Sequence, residues 1–333
     1  MLPKVSIIVP CYNHASYLER RLSSILNQTY TDFEIILLDD ASSDGSADLC
    51  EQFAREHRCT FVRNQVNSGS AFKQWNKGLR LATGQYIWIA ESDDVADPRF
   101  LEVLIDRLDR NPGCGLAYCQ SLRTDEAGTV IEPAFPQMFD ADLDRWTHDF
   151  TADGREECAQ FLIRDNTICN ASAVVFRRDL YQAAGEVDER LKLAADWKFW
   201  ASLLRISGVA YVAEPLNYFR THPASVRSNT SVWRQLAETF EVMQYILSFA
   251  EMSPRDLEKF HNRVVVLFLY ALTSRRPTVR ELVLAIKLAS HLRLRLSLRN
   301  CLSLLRQTRE AIGKRMRQRK MIAGVRVRES VQG

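Results

Sequence analysis

Two short apolar runs in the first hundred residues end abruptly in pairs of aspartates. FEIILL (33–38) meets Asp39-Asp40, and YIWIA (86–90) meets Glu91-Ser92-Asp93-Asp94. A third run, VSIIVP (5–10), precedes them and ends in a loop, CYNH. Apolar runs of this length, rich in Ile and Val, read as strands buried on both faces of a parallel sheet. Between them Tyr17, Leu18, Leu22, Ile25 and Leu26 recur at helical spacing. Residues 70–82 form another helical stretch that Gly84 closes. Ser42-Ser43-Asp44-Gly45 is turn chemistry, with Asp44 placed to cap a helix to about His57. Residues 60–63 read as a short strand, and Asp97-Pro98 opens a helix to about Asp109.

Strand–helix repetition of this kind dictates right-handed crossovers, hence an α/β fold with a Rossmann-type, mostly parallel sheet flanked by helices. Ligands of such sheets gather at the carboxyl ends of the strands, where both aspartate pairs lie. Carboxylates there can hold Mg²⁺ or Mn²⁺, ions that accept oxygen ligands and bridge to a diphosphate. The plainer alternative is that the acids only end strands and cap helices.

Further along, residues 121–150 carry Pro133, Pro136 and many acids and read as a long loop or lid. A strand is expected at about 171–176 and a helix over 196–206. The pattern is helical from about residue 230. HLRLRLSL (291–298) alternates with period two, but its surroundings favour helix. Charge divides the chain. Residues 1–274 hold 28 Lys and Arg against 38 Asp and Glu, whereas 275–328 hold 16 against two. None of the eight cysteines forms a C-x-x-C pair, which argues against a zinc ribbon or thioredoxin-type site and fits a cytoplasmic setting. No signal peptide is expected, and no apolar run reaches the roughly 18–20 residues that span a bilayer. A phosphate-binding enzyme such as a nucleotidyltransferase would want a Gly-rich basic loop after the first strand, and a P-loop is also lacking. A non-catalytic receiver-like module would not need the long second half.

VSIIVPCYN (5–13), LLDDASSDG (37–45), GQYIWIAESDD (84–94) and Pro98 stand in an order and spacing that resemble the family 2 glycosyltransferases of the GT-A fold. These are inverting enzymes of the nucleotide-diphospho-sugar transferase superfamily. The resemblance is strong over 1–110 and looser over 160–226. It implies a GT-A-like domain over 1–226, with a nucleotide-binding half (1–120) and an acceptor-side half (121–226), followed by a helical basic extension (227–333).

The implied donor is a nucleoside diphosphate sugar of the UDP, dTDP or GDP type. The implied acceptor is a glycan or lipid-linked hydroxyl in cell-surface polysaccharide assembly, and the implied cofactor is Mn²⁺ or Mg²⁺. By resemblance Pro10, Tyr12 and Asn13 frame the nucleoside, Asp40 bonds the base, Asp93 the ribose, and Asp94 the metal. Tyr12 has an equal reading as a packing aromatic. Glu91 departs from the commoner Asp. Trp75 stands where many relatives carry Arg, so Lys73 or Lys77 is left to meet the phosphates, unless both lie on a solvated helix face. Asp196, in the helix after Gly185-Glu186-Val187-Asp188-Glu189, is the implied catalytic base, although Ala195 replaces its usual acidic neighbour and a helix cap is the alternative. Arg220 is implied at a phosphate, and His222 at metal or phosphate. The Arg- and Leu-rich 279–320 reads either as a surface for an anionic membrane or as a packed helical extension. A peripheral place on the inner membrane face would follow from the first reading. Nucleic acid is not expected, because no module for it is present.

Overall fold

The computed structural model describes residues 2–134, 143–222 and 230–274. The chain runs β1 (Val5–Cys11), α1 (Ala15–Leu26), β2 (Phe33–Asp39), α2 (Ser46–His57), β3 (Thr60–Arg63), α3 (Ala71–Leu81), β4 (Tyr86–Ile89), β5 (Val95–Ala96) and α4 (Phe100–Arg110). It continues through β6 (Cys114–Thr124), β7 (Val130–Pro133), β8 (Phe150–Ala152), α5 (Gly154–Glu157), β9 (Val174–Arg177), α6 (Arg178–Ala184), α7 (Ala195–Leu204), β10 (Gly208–Arg220), α8 (Val232–Leu247) and α9 (Pro254–Ser274). The strands form one sheet in the order β3-β2-β1-β4-β9-β6-β10-β5, with β7 on β6 and β8 on β10.

β3, β2, β1 and β4 are parallel, as the early apolar runs require. β9 enters antiparallel between β4 and β6, while β6 and β10 run parallel to each other. The sheet is thus parallel through its first four strands and mixed beyond them. Alternate side chains feed two cores. Ile7, Val9, Leu37 and Trp88 pack with α1 and α4 on one face. Ile8, Leu38, Ile87 and Ile89 pack with α3, α7, α8 and α9 on the other. Each such fully buried aliphatic side chain contributes about 1.5–3 kcal/mol. Gly78 lets α3 press onto the sheet, since a Cβ there would lie 2.4 Å from Ile8 Cγ2. That close approach brings Gln74 and Trp75 to the carboxyl ends of the strands.

Residues 121–134 are not the loop their composition suggests. β6 continues to Thr124 because 121–124 pair with β10, and β7 folds back on it around Asp125, whose carboxylate accepts the Thr129 N–H at 2.8 Å. Residues 171–173 form a 3-10 turn, so the strand starts at Val174. α8 and α9 share the core of α7, with Trp233, Phe240 and Phe260 buried in the same cluster as Trp200. Asp44 binds the N–H groups of both Ser46 and Ala15, and so serves the starts of two helices. Among the described residues no helix is long and apolar enough to cross a membrane. The expected helix at 291–298 and the basic stretch 279–320 lie outside the described residues.

Candidate active site

The loops after β1, β2, β4 and β10 meet at one end of the sheet. Asn13 and Ala41 adopt left-handed backbone conformations (φ 54° and 61°), which non-glycine residues enter at a cost. Asn13 bridges the two loops: its N–H donates to Ser42 Oγ (3.0 Å) and its Oδ1 accepts the Ser43 N–H (2.8 Å). Pro10 is buried in β1, whereas Tyr12 is 46% exposed and free of the core.

The first acid pair is enclosed. Asp39 is fully buried, accepts the Ser42 N–H and has Arg63 at 3.8 Å. Asp40, 4% exposed, accepts from Asn64 (2.6 Å), the Ser68 N–H (2.9 Å), Ser68 Oγ (2.7 Å) and Gln74 (2.9 Å). Its carboxylate is the hub that gathers residues 64–74 at the end of β2. Lys73 donates to the Ser68 carbonyl and Lys77 to Asn64, so both amines hold this same loop.

The second acidic cluster is arranged differently. Asp94, 2% exposed, accepts the Arg220 N–H on one oxygen, and Asn170 Nδ2 and Ser172 Oγ on the other. Burial, with Asp93 alongside, pushes its pKa up to about 6. Asp93 instead meets His222, whose Nε2 lies 3.0 Å from its Oδ2. Burial pulls Asp93 upward, but the His222 hydrogen bond and the His14 and His222 charges prevail and hold it below the ordinary value. His222 is raised in turn, chiefly by that same hydrogen bond. Glu91 accepts the Trp75 indole N–H at 2.7 Å, and burial beside Asp93 lifts it to about 8. Beneath them Arg21 is fully buried over the Trp88 ring and donates through Nε to the Glu91 carbonyl. It is the cation that faces this acidic group from the core.

The two neighbouring aspartates thus stand in different surroundings. Asp94 faces inward to three hydrogen-bond donors. Among the described residues, the ligand atoms that converge, all within 4.8 Å of one another, belong to His14, Asp93 and His222. One carboxylate and two imidazoles are a donor set that fits a divalent transition ion. Arg220 is held by main-chain acceptors. Its guanidinium donates to the carbonyls of Asp93, Asp125 and Glu126 and lies over Tyr17, and so braces the site.

Asp196 lies in the first turn of α7 and accepts from Asn166 Nδ2 at 3.2 Å. The segment that supplies Asn166 also supplies Asn170 and Ser172 to Asp94, so one stretch of chain touches both acids. The turn before α7 is fastened from two sides. Asn76 on α3 exchanges hydrogen bonds with the Val187 main chain and donates to the Glu189 carboxylate. Glu238 on α8 accepts the N–H groups of Lys192, Leu193 and Ala194. Sequence reasoning missed His14, Arg21, Asn170, Ser172 and Glu238. None belongs to a motif, and no local pattern ties Glu238 to the turn before α7 that it caps. A separate cavity of about 310 Å³, lined by Leu26, Phe33, Glu34, His57 and Arg58, opens at the opposite, amino end of β2 and β3, away from these acids.

The two acid clusters stand at the carboxyl ends of β2 and β4, with β1 between them, where the ligands of such sheets gather. The profile of Glycosyl transferase family 2 matches residues 6–184, and the chain belongs to that family. Glycosyltransferase GlyG of Streptococcus pneumoniae is 38% identical over 104 residues, covering 31% of this chain and 35% of GlyG. TuaG of Bacillus subtilis, named for teichuronic acid biosynthesis, is 28% identical over 247 residues, 73% of this chain and 88% of TuaG. The chain spans 35% to 66% of the length of the first curated relatives it matches. In fold it is similar to Staphylococcus aureus TarS (residues 1–349) crystallised with UDP-GlcNAc, with a TM-score of 0.64 at 18% identity over 87% of this chain and 80% of that one. The fold is GT-A.

Proposed function

We propose that the chain transfers a sugar, with inversion, from a nucleoside diphosphate donor to a hydroxyl of a glycan or lipid-linked acceptor in cell-surface polysaccharide assembly. Family membership supports the reaction class, and TarS with its UDP-GlcNAc and TuaG with its named pathway support the donor and the acceptor class. The observation that carries the reading is the placement of Asp93 and His222 at the carboxyl end of β4, with Asp196 tied to the same region through residues 166–172.

In this reading Pro10, Tyr12 and Asn13 border the nucleoside, with the exposed Tyr12 ring free to meet the base. Asp40 and the loop it gathers, including Lys73, close over the nucleoside from the other side. Asp93 and His222 hold a divalent ion, Mn²⁺ or Mg²⁺, which when bound neutralises charge on the departing diphosphate. Asp94 and Arg220 keep Asp93 in place. Asp196 takes the proton from the acceptor hydroxyl as it attacks the anomeric carbon, and Asn166 orients that carboxylate. Positioning of the two substrates supplies much of the acceleration.

Thermal melting with UDP-, dTDP- and GDP-sugars, with and without Mn²⁺, tests the donor assignment. A rise of melting temperature selective for one nucleotide and dependent on the ion is expected, because a ligand that binds only the folded state stabilises it. No rise with any of them contradicts it. The Arg-rich 279–320 is proposed to meet anionic lipid on the cytoplasmic face. Loss of co-sedimentation with anionic vesicles on deleting 279–333 is expected, and undiminished sedimentation contradicts it.

A further inference from the structure

We propose that His14, from the loop between β1 and α1, is a third protein ligand to the ion held by Asp93 and His222, and that this two-nitrogen, one-oxygen set selects Mn²⁺ and later transition ions over Mg²⁺. The proposal rests on the metal-assisted reading above and adds to it a ligand and a preference.

Position is the first argument. The ligand atoms of His14, Asp93 and His222 lie within 4.8 Å of one another, close to the roughly 4 Å that opposite ligands of a small divalent ion span. The two imidazole rings stand edge to face, with centroids 5.7 Å apart. The three side chains come from three separate strand ends, β1, β4 and β10, so their meeting is a product of the fold and not of local sequence.

Orientation is the second. Metal-binding histidines usually direct the other ring nitrogen to a hydrogen-bond partner that fixes tautomer and tilt. His14 Nδ1 is bonded to Ser92 Oγ at 2.7 Å, and Ser92 is buried between Glu91 and Asp93. With the proton on Nδ1, Nε2 is left as the ligand atom. His14 also occupies the N-cap position of α1, yet its side chain makes no capping hydrogen bond. The ordinary structural task at that position is not its task. Its backbone is pinned nonetheless, by the left-handed Asn13 before it and by its N–H donating to Ser46 Oγ at 3.0 Å.

Chemistry is the third. Mg²⁺ prefers an octahedron of oxygens and gives up water reluctantly, whereas imidazole nitrogen binds first-row transition ions more strongly. A single imidazole beside a carboxylate discriminates weakly. Two imidazoles leave Mg²⁺ with one favoured protein ligand of three.

Pulsed EPR on the full-length protein with Mn²⁺ alone counts the coordinated nitrogens. Two imidazole nitrogens are expected in the unmodified protein, and one each in His14→Ala and His222→Ala. By calorimetry, His14→Ala should weaken Mn²⁺ binding about tenfold or more while Mg²⁺ binding changes less than about twofold. Equal losses for both ions would show that the loop, not the ligand set, was disturbed, and would overturn the proposal. One nitrogen in the unmodified protein that vanishes in His222→Ala removes His14 while leaving the Asp93–His222 reading intact. No coordinated nitrogen removes both. The count on the unmodified protein decides even if His14→Ala fails to fold.

Discussion

The two aspartate pairs both end apolar strands, and the fold gives them different surroundings. At the end of β2, Asp39 and Asp40 are enclosed by hydroxyl, amide and main-chain donors, and Asp40 alone gathers Asn64, Ser68 and Gln74. At the end of β4, one acid is similarly enclosed, because Asp94 is bonded by Asn170, Ser172 and the Arg220 main chain. Its neighbour Asp93 keeps 19% of its side chain exposed and faces imidazoles. A carboxylate surrounded by fixed neutral donors is a tether. One that faces imidazoles and stays partly exposed can exchange a proton for a metal ion. Neighbours brought in from far along the chain decide between these roles, and the acids themselves do not.

The largest effect that sharpens this contrast concerns the base tied to the β4 side. Asp196→Asn should bind donor with unchanged calorimetric affinity yet lose about 10²–10⁴ in turnover; a rate near normal removes Asp196 from the mechanism. Asp93→Ala should weaken Mn²⁺-dependent donor binding by about 10²-fold and leave the melting temperature of the ion-free protein little changed. The opposite pattern is expected at β2. Asp40→Ala should cost about 3 kcal/mol in denaturant unfolding, since it strands several buried donors, with Mn²⁺ affinity unaltered. If Asp40→Ala loses the ion and Asp93→Ala loses stability, the contrast is inverted. A smaller effect is expected from Glu238→Gln. It should lower turnover about tenfold without changing donor affinity, because it loosens the turn that aims Asp196. Equal changes in both would make Glu238 only a structural anchor.

The parallel half of the fold was legible because its signals are local. Apolar runs such as 33–38 and 86–90 suit strands buried on both faces, and Asp97-Pro98 stands just ahead of α4. The extension of β6 to Thr124 was hidden because its stability comes from pairing with β10, about a hundred residues away, and not from an apolar run. The inward setting of Asp94 was hidden for the same reason. The side chains that hold Asp94 inward stand at 170 and 172, and the main-chain group at 220. Arg220 carried a motif, yet carbonyls of the β6–β7 turn take up its guanidinium. His14 carried no motif, and its meaning depends on Ser92 and His222.

A crystal grown with Mn²⁺ and UDP, measured at the manganese absorption edge, puts the central claim to its most direct test. The account predicts one strong anomalous peak bonded to the Asp93 carboxylate and to His222 Nε2. A peak on Asp39, Asp40 or Asp94 instead, with Asp93 uncoordinated, would contradict it.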